Sequence, residues 1–271
     1  AAAQEKARAE KEKAEREKEA EQKRRAGPGS EKGLAEPLVL IDRYRGGSVP
    51  AEMAPTFRRA GIKTREINRA LEDEDLKDAA VLLIRDPGEG AELLPYTKAE
   101  TKRIVKFVEA GGGLVFFGSP RFIKKGPQPR GTTFDALLLG QFKIGVRTGR
   151  MSVDEKAPRD FPRHHAMGVP AQRHPITAGI NRVFFDMAAP AIIAPPASVI
   201  LATPWFISSS ATGRGPVPLA SARPFGKGRV VAFCAVPDIG DEDTGADAVR
   251  MCVDAVRWAA YPKLEAARSG Q

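Results

Sequence analysis

Two short apolar runs, Pro37-Leu-Val-Leu-Ile-Asp42 and Ala80-Val-Leu-Leu-Ile-Arg85, contain no polar residue in their interiors. A strand of that composition has to be covered on both sides, the condition of a parallel strand inside an α/β sheet. The sequence between them fits. Arg43–Pro50 is a glycine-bearing loop, Ala51–Ala60 a helix stopped by Gly61, Ile62–Ile67 an alternating strand and Glu72–Asp78 a short polar helix. Asp86-Pro-Gly-Glu-Gly90 reads as a loop, and Thr97-x-x-Glu100 as a capping box. That box opens a helix with Ile104, Val105, Phe107 and Val108 on one face. Gly111-Gly-Gly113 ends it and leads into a fourth strand, Leu114–Phe117. Strands separated by helices predict a three-layer α/β/α sheet of the flavodoxin type, mostly parallel.

The second half is less regular. A helix is expected over Thr132–Leu139, and an Arg-, Pro- and Gly-rich excursion over 140–182. Short strands follow at Val183–Phe185, Ala191–Ala194, Ser198–Thr203, Val217–Ala222 and Arg229–Val236. The last two are separated by the turn Phe225-Gly-Lys-Gly228. Gly245–Ala260 is an amphipathic helix, and Tyr261-Pro262 reads as its stop. The domain is therefore expected over 37–262, with a flexible tail at 263–271.

Residues 1–27 form a charged helical extension and 28–36 a linker. The block Ala1–Arg25 holds nine basic and seven acidic residues, so it carries only +2 of the formal charge of +9. Glu12–Arg16 and Glu19–Lys23 are favourable i,i+4 pairs. The only apolar side chains are alanines, which excludes a coiled-coil seam. Mixed signs exclude a DNA-binding arm. The block is a solvated helical spacer or a tether to a larger assembly. No stretch of about 18 apolar residues is present, so no membrane-spanning helix is expected. Two cysteines exclude a disulfide scaffold and a four-Cys metal site. No basic patch interleaved with aromatics appears, which disfavours nucleic acid. The basic stretch Lys124, Lys125, Arg130, Arg147 and Arg150 contacts an acidic partner or an anionic surface, or is solvated. The Ala-Ala-Ala start, read as an end left by signal-peptide cleavage, suggests an exported, periplasmic protein. A cytoplasmic location is the alternative.

Four segments, 76–84, 94–120, 174–180 and 226–260, carry a resemblance. Their motifs are Glu109-x-Gly-Gly-Gly-Leu114 before a strand, His174-Pro-Ile-Thr177, and Gly226-Lys-Gly-Arg-Val230. Together they resemble the non-catalytic class I glutamine amidotransferase-like domains. That branch includes gliding-motility transporter accessory proteins and an intraflagellar transport subunit. Catalytic members of the superfamily place a Cys on a strand-to-helix elbow, Gly-x-Cys-x-Gly, and a His before an acid at the end of a later strand. Here the matching elbow reads Gly118-Ser119-Pro120-Arg121, with Pro120 at the nucleophile position. The later strand, Phe233-Cys-Ala-Val-Pro-Asp238, keeps Pro-Asp and lacks the His. The resemblance thus implies the fold without glutaminase activity.

In open parallel sheets, ligands bind beyond the carboxyl ends of the strands. That edge collects Asp42, Arg43, Tyr44, Arg85, Asp86, Ser119, Arg121, Asp238 and Asp241. These are the candidate ligand- or partner-binding residues, or they pair with one another. No Gly-x-Gly-x-x-Gly or Walker loop is present, and no cofactor is expected. His164, His165 and His174 supply enough imidazoles for a zinc site. Adjacent histidines do not readily face one metal, and His174 belongs to the His-Pro-Ile-Thr turn, so no metal is expected. Cys234 and Cys252 read as buried structural thiols; a reactive thiol or a disulfide is the sharper alternative. The reading is a non-enzymatic binding or scaffolding module with protein partners, part of an envelope or motility-type assembly. The alternative is a carboxylate- or metal-dependent hydrolase or sugar-processing enzyme using Asp42, Asp86 and Asp238.

Overall fold

The apolar runs lie side by side. The computed structural model describes residues 36–86, 95–118, 134, 137–146, 165–186, 191–193, 197–203, 216–241 and 244–269. The helical extension 1–27, all of the linker but Glu36, and the basic stretch 124–150 apart from 134 and 137–146 lie outside them. Strand β1 (Leu38–Asp42) pairs in parallel with β2 (Lys63–Ile67) and with β3 (Val81–Arg85). β3 pairs with β4 (Gly113–Phe117), and β4 with β11 (Gly228–Phe233), again in parallel. One register runs across the four central strands: Val39 opposite Val81, Val81 opposite Gly113, and Gly113 opposite Arg229.

That register sorts the side chains into two cores. Val39, Ile41, Val81, Leu83, Val115, Phe117, Val231 and Phe233 share one face with Met53 and Phe57 of helix α1 (Met53–Arg59) and the inner side of α4 (Gly245–Ser269). Leu40, Leu82, Ile84, Leu114, Phe116 and Val230 share the other with Leu76 of α2 (Asp73–Lys77) and Ile104, Phe107 and Val108 of α3 (Lys98–Glu109). This is the three-layer arrangement that period-two burial of both faces requires.

The sheet is mixed rather than mostly parallel. Beyond β11 come β10 (Pro218–Phe225), β9 (Ser198–Ala202), β6 (His165–Pro170) and β7 (Val183–Asp186), giving the order β2-β1-β3-β4-β11-β10-β9-β6-β7. All four of these added pairings are antiparallel. The tight turn at Gly226-Lys227 allows no other direction, because a parallel return needs a crossover of a dozen residues. A separate ribbon joins β5 (Ile144–Val146) to β8 (Ala191–Ile193). Of the helix expected over 132–139, the described part is a π-helical turn at Leu138–Phe142, its Phe142 buried against the second core.

Helix α4 passes through Pro262 and runs to Ser269, so most of the expected flexible tail is helical. Proline has no N–H to give the carbonyl of Trp258, four residues back. Arg229 supplies the missing donor: its Nη1 bonds that carbonyl at 2.9 Å. The same guanidinium lies 4.8 Å from the Trp258 ring centroid and 5.2 Å from that of Tyr261. One residue on, Lys263 Nζ donates to the carbonyls of Leu76, Lys77 and Ala79 at the end of α2, at 3.2, 2.8 and 2.6 Å. Replacing Arg229 with Met is expected to cost about 1–3 kcal/mol, because a carbonyl loses its partner. Adding Pro262→Ala should return part of that loss, since an alanine N–H can serve the same carbonyl. Urea denaturation of the four proteins of this double-mutant cycle checks it; purely additive effects would contradict the account.

Asp254 lies on the buried side of α4. Its Oδ2 has no hydrogen bond, and Arg250 Nε stands off at 3.8 Å. Burial pushes the carboxyl up to about 6, against the pull of Arg250 and Arg257. A folded-state value above the unfolded one, roughly 3.9, means that the fold tolerates the neutral form better. The stability associated with that form is whole below about pH 4 and lost as pH rises through about 6. Between pH 4 and 7 the wild-type chain is therefore expected to lose about 2–3 kcal/mol relative to Asp254→Asn. Denaturation midpoints measured across that range check this; parallel profiles would refute it.

Candidate functional site

The upper edge of the sheet, where β1 and β3 end, is built around Asp42. Its carboxylate is fully buried. Oδ1 accepts the backbone N–H groups of Tyr44 at 2.9 Å and Arg45 at 3.0 Å, so the chain turns sharply as it leaves β1. Oδ2 accepts the Tyr96 hydroxyl at 2.6 Å. Burial pushes the Asp42 carboxyl up, against these three donors. Burial and the facing Asp42 hold the Tyr96 phenol well above its ordinary range, so it stays a donor.

Arg45 reaches from the same loop to Glu100, in the first turn of α3. Nε and Nη2 bond the two carboxylate oxygens at 3.1 and 2.9 Å, a bidentate fork. Glu100 also accepts the Thr97 N–H at 2.9 Å, the Thr97 hydroxyl at 2.8 Å and the Leu71 N–H at 3.3 Å. Burial alone would raise its carboxyl; the bonds from Thr97 and Arg45 outweigh it and hold it below the usual range. The capping box legible in the sequence is formed, with Thr97 Oγ1 accepting the Glu100 N–H at 3.2 Å.

The loop 43–48 then crosses the ends of β1 and β3. Gly47 N–H bonds the Arg85 carbonyl at 2.7 Å. A side chain at Gly46 would put its Cβ 2.6 Å from the Asp42 carbonyl oxygen and 2.8 Å from that of Arg85, so only glycine fits. Arg43 spans from Glu66 Oε2, at 2.7 Å, to Ser48 Oγ, at 2.9 Å. Arg85 Nη1 donates to the Ser48 carbonyl, while its Nε is buried without a partner.

Of the nine candidates, Asp42, Arg43, Tyr44, Arg85 and Asp86 gather at this edge. Asp86 is fully buried, its N–H bonded to the Phe117 carbonyl at 2.8 Å. Asp238 and Asp241 act locally past the end of β11. Asp238 Oδ1 accepts the Gly240 N–H at 3.1 Å; Asp241 Oδ1 accepts the Thr244 N–H and hydroxyl at 2.6 and 2.8 Å, opening α4. Ser119 and Arg121 lie outside the described residues, as does Pro120 at the nucleophile position. Arg45, Tyr96, Glu100 and Ser48 were not among the candidates. The capping box marked Glu100; nothing local marks Tyr96, 54 positions from the carboxylate it serves.

The histidines do separate things. His164 lies outside the described residues, and His165 is described only as backbone of β6. His174 caps the turn Pro175–Thr177, its Nδ1 accepting the Ile176 N–H at 3.2 Å, with the ring 5.0 Å from Trp258. Burial, and secondarily the charge of Arg229, lowers its pKa and keeps it a neutral acceptor. Among the described residues no group of three His, Cys, Asp or Glu is placed to hold a metal. Cys234 and Cys252 are buried and form no disulfide, and burial pushes the Cys252 thiol up to about 12. No helix among the described residues is long and apolar enough to cross a membrane.

Three solved structures set this architecture beside known folds. The mmIFT52 N-terminal domain superposes with a TM-score of 0.55 at 14% identity, over 80% of this chain and 94% of that one. The cytoplasmic protein STM3548 from Salmonella typhimurium gives 0.50 at 13%, over 82% and 98%. A ThuA-like protein from Bacteroides uniformis gives 0.46 at 15%, over 86% and 94%. The likeness is one of fold. That of the first two agrees with the fold implied by the motifs at 109–114, 174–177 and 226–230. No protein-family model matches the chain, and no curated protein matches it in sequence.

The Asp42–Tyr96 bond gives a direct check on this edge. Tyr96→Phe keeps the ring, which packs 5.7 Å from Phe134, and removes the hydroxyl. A buried carboxylate losing one of three donors should cost about 1–3 kcal/mol. Thermal and urea unfolding measure it; an unchanged midpoint would mean that the hydroxyl is dispensable.

Proposed function

We propose that the chain is a non-enzymatic binding or scaffolding module with an amidotransferase-like fold, working within a larger assembly of the envelope or motility type. One observation carries this reading. Doubly wound sheets bind ligands in the crevice where strand order reverses, here between β1 and β3. The chain's own loop fills that crevice, with Gly46 seated on the carbonyls of Asp42 and Arg85. The acid that would serve chemistry there, Asp42, already holds three donors and is fully buried. A general acid or base needs a proton position open to a substrate. The sequence adds that neither the cysteine nor the histidine of the catalytic members is present at the matching positions 120 and 233–238.

The purified 271-residue chain is expected to release no ammonia from glutamine, and to cleave chromogenic esters and glycosides no faster than Asp42→Asn. Turnover lost in Asp42→Asn would favour the hydrolase instead. Affinity capture with and without residues 1–30, read by mass spectrometry, is expected to return a defined set of partners that shrinks on deletion of the spacer. Capture of nothing by either form would overturn the scaffolding reading.

A further inference from the structure

The loop that fills the crevice also faces outward. Tyr44 is 39% exposed, and among the described residues it is the large hydrophobic side chain left in solvent. It is held there by rigid partners. Its N–H is tied to Asp42, and the guanidinium of Arg45 lies 4.8 Å from its ring centroid. The loop beyond it is clamped to β3 through Gly47. An aromatic fixed in this way loses little conformational freedom on binding. Tyrosine and arginine are also the residue types that most often dominate binding energy.

Two guanidiniums from different strand ends converge beside it on Ser48, Arg43 at the hydroxyl and Arg85 at the carbonyl. Arg43 is paired with Glu66, but both side chains are 40% exposed, so the pair exchanges readily with another carboxylate. Arg85, its Nε buried, holds the loop from beneath through the Ser48 carbonyl. Glu66 is the one acid here that an incoming carboxylate has to displace, because Glu100 is committed to Arg45 and Asp42 to Tyr44, Arg45 and Tyr96.

We infer that loop 43–48 is a docking surface for an acidic segment of a partner polypeptide, with Tyr44 as the apolar anchor and Arg43 as the carboxylate donor. The inference rests on the reading of the chain as a binding module and names the chemistry of the partner. An arginine fork matches a carboxylate. The exposed ring adds a contact that a small inorganic anion cannot use, which selects a polypeptide.

The test is titration of the full chain with a fluorescein-labelled peptide alternating glutamate and leucine, followed by anisotropy. Binding is expected to saturate, to weaken with added salt, and to fall about tenfold in Tyr44→Ser and in Arg43→Gln. Both altered side chains are exposed, and thermal melts verify that the fold is kept. Arg268→Gln, in the last turn of α4, is expected to bind as wild type. Absent binding, equal binding of the lysine–leucine peptide, unchanged affinity in Tyr44→Ser, or an equal loss in Arg268→Gln would each overturn the surface. So would displacement of the peptide by millimolar inorganic phosphate, which would mark an ion site. A Tyr44→Ser chain that captures the same partners as wild type would also sink this surface while leaving the scaffolding role intact. Failure of both chains to capture anything would count against that role instead.

Discussion

At the lower end of the sheet, the backbones of α3, β4, β11 and α4 approach closer than side chains allow, and the order of the central strands depends on that contact. A Cβ on Gly228 would stand 2.1 Å from the carbonyl oxygens of both Gly112 and Val108. One on Gly113 would stand 2.6 Å from the Ala259 carbonyl oxygen, and one on Gly112 would enter the Phe107 ring at 2.4 Å. The absent side chains let Lys227 N–H bond the Glu109 carbonyl at 3.0 Å as the turn before β11 meets the end of α3. The glycines of two distant motifs, 111–113 and 226–228, are therefore two halves of one contact. It brings β11 beside β4 and sets Gly113 opposite Arg229, and the two cores follow from that register.

The same contact explains why α4 survives its proline. Fixing β11 against β4 places Arg229, the residue after Gly228, beneath Trp258. Its side chain then reaches the one carbonyl that Pro262 leaves without a donor. A helix-breaking residue becomes tolerable because a strand 33 positions earlier supplies the missing hydrogen bond. Lys263 repeats the device in the other direction, satisfying three carbonyls at the end of the five-residue α2. The end of α2 and the proline turn of α4 are completed by distant side chains, beside the local caps at Thr97 and Asp241.

That habit decides what was legible in the sequence. The strands at 38–42, 81–85 and 113–117 and the helix opened by Thr97 announce themselves, because burial on both faces and a capping box are local properties. The glycine motifs pointed to the right fold, although their interlocking could not be read from spacing. Pro262 misled as a stop signal because its compensation is remote. The antiparallel half of the sheet was hidden for a similar reason. The directions of β6, β7, β9 and β10 depend on pairing across the sheet rather than on internal pattern. At the site, Asp42 and Arg85 were found by the rule about strand ends, but their partners Tyr96, Arg45 and Ser48 were not. A tyrosine 54 residues away leaves no periodic trace.

The polar groups at the upper edge are committed to one another. In a catalytic sheet, the residues past the strand ends must keep unfilled valences for a substrate. Here Asp42 spends its oxygens on two backbone N–H groups and a phenol, and Glu100 spends its own on Arg45, Thr97 and Leu71. Each of those bonds fixes the loop that leaves β1 or the helix that receives it. Buried networks of this kind rigidify when every member is satisfied. The rigidity is passed outward to Tyr44, whose own N–H is part of the network and whose ring rests on an arginine already held by Glu100. The carboxylates of Asp42 and Glu100 thus hold the loop that carries Tyr44, an aromatic left in solvent, and Arg45, over which its ring lies.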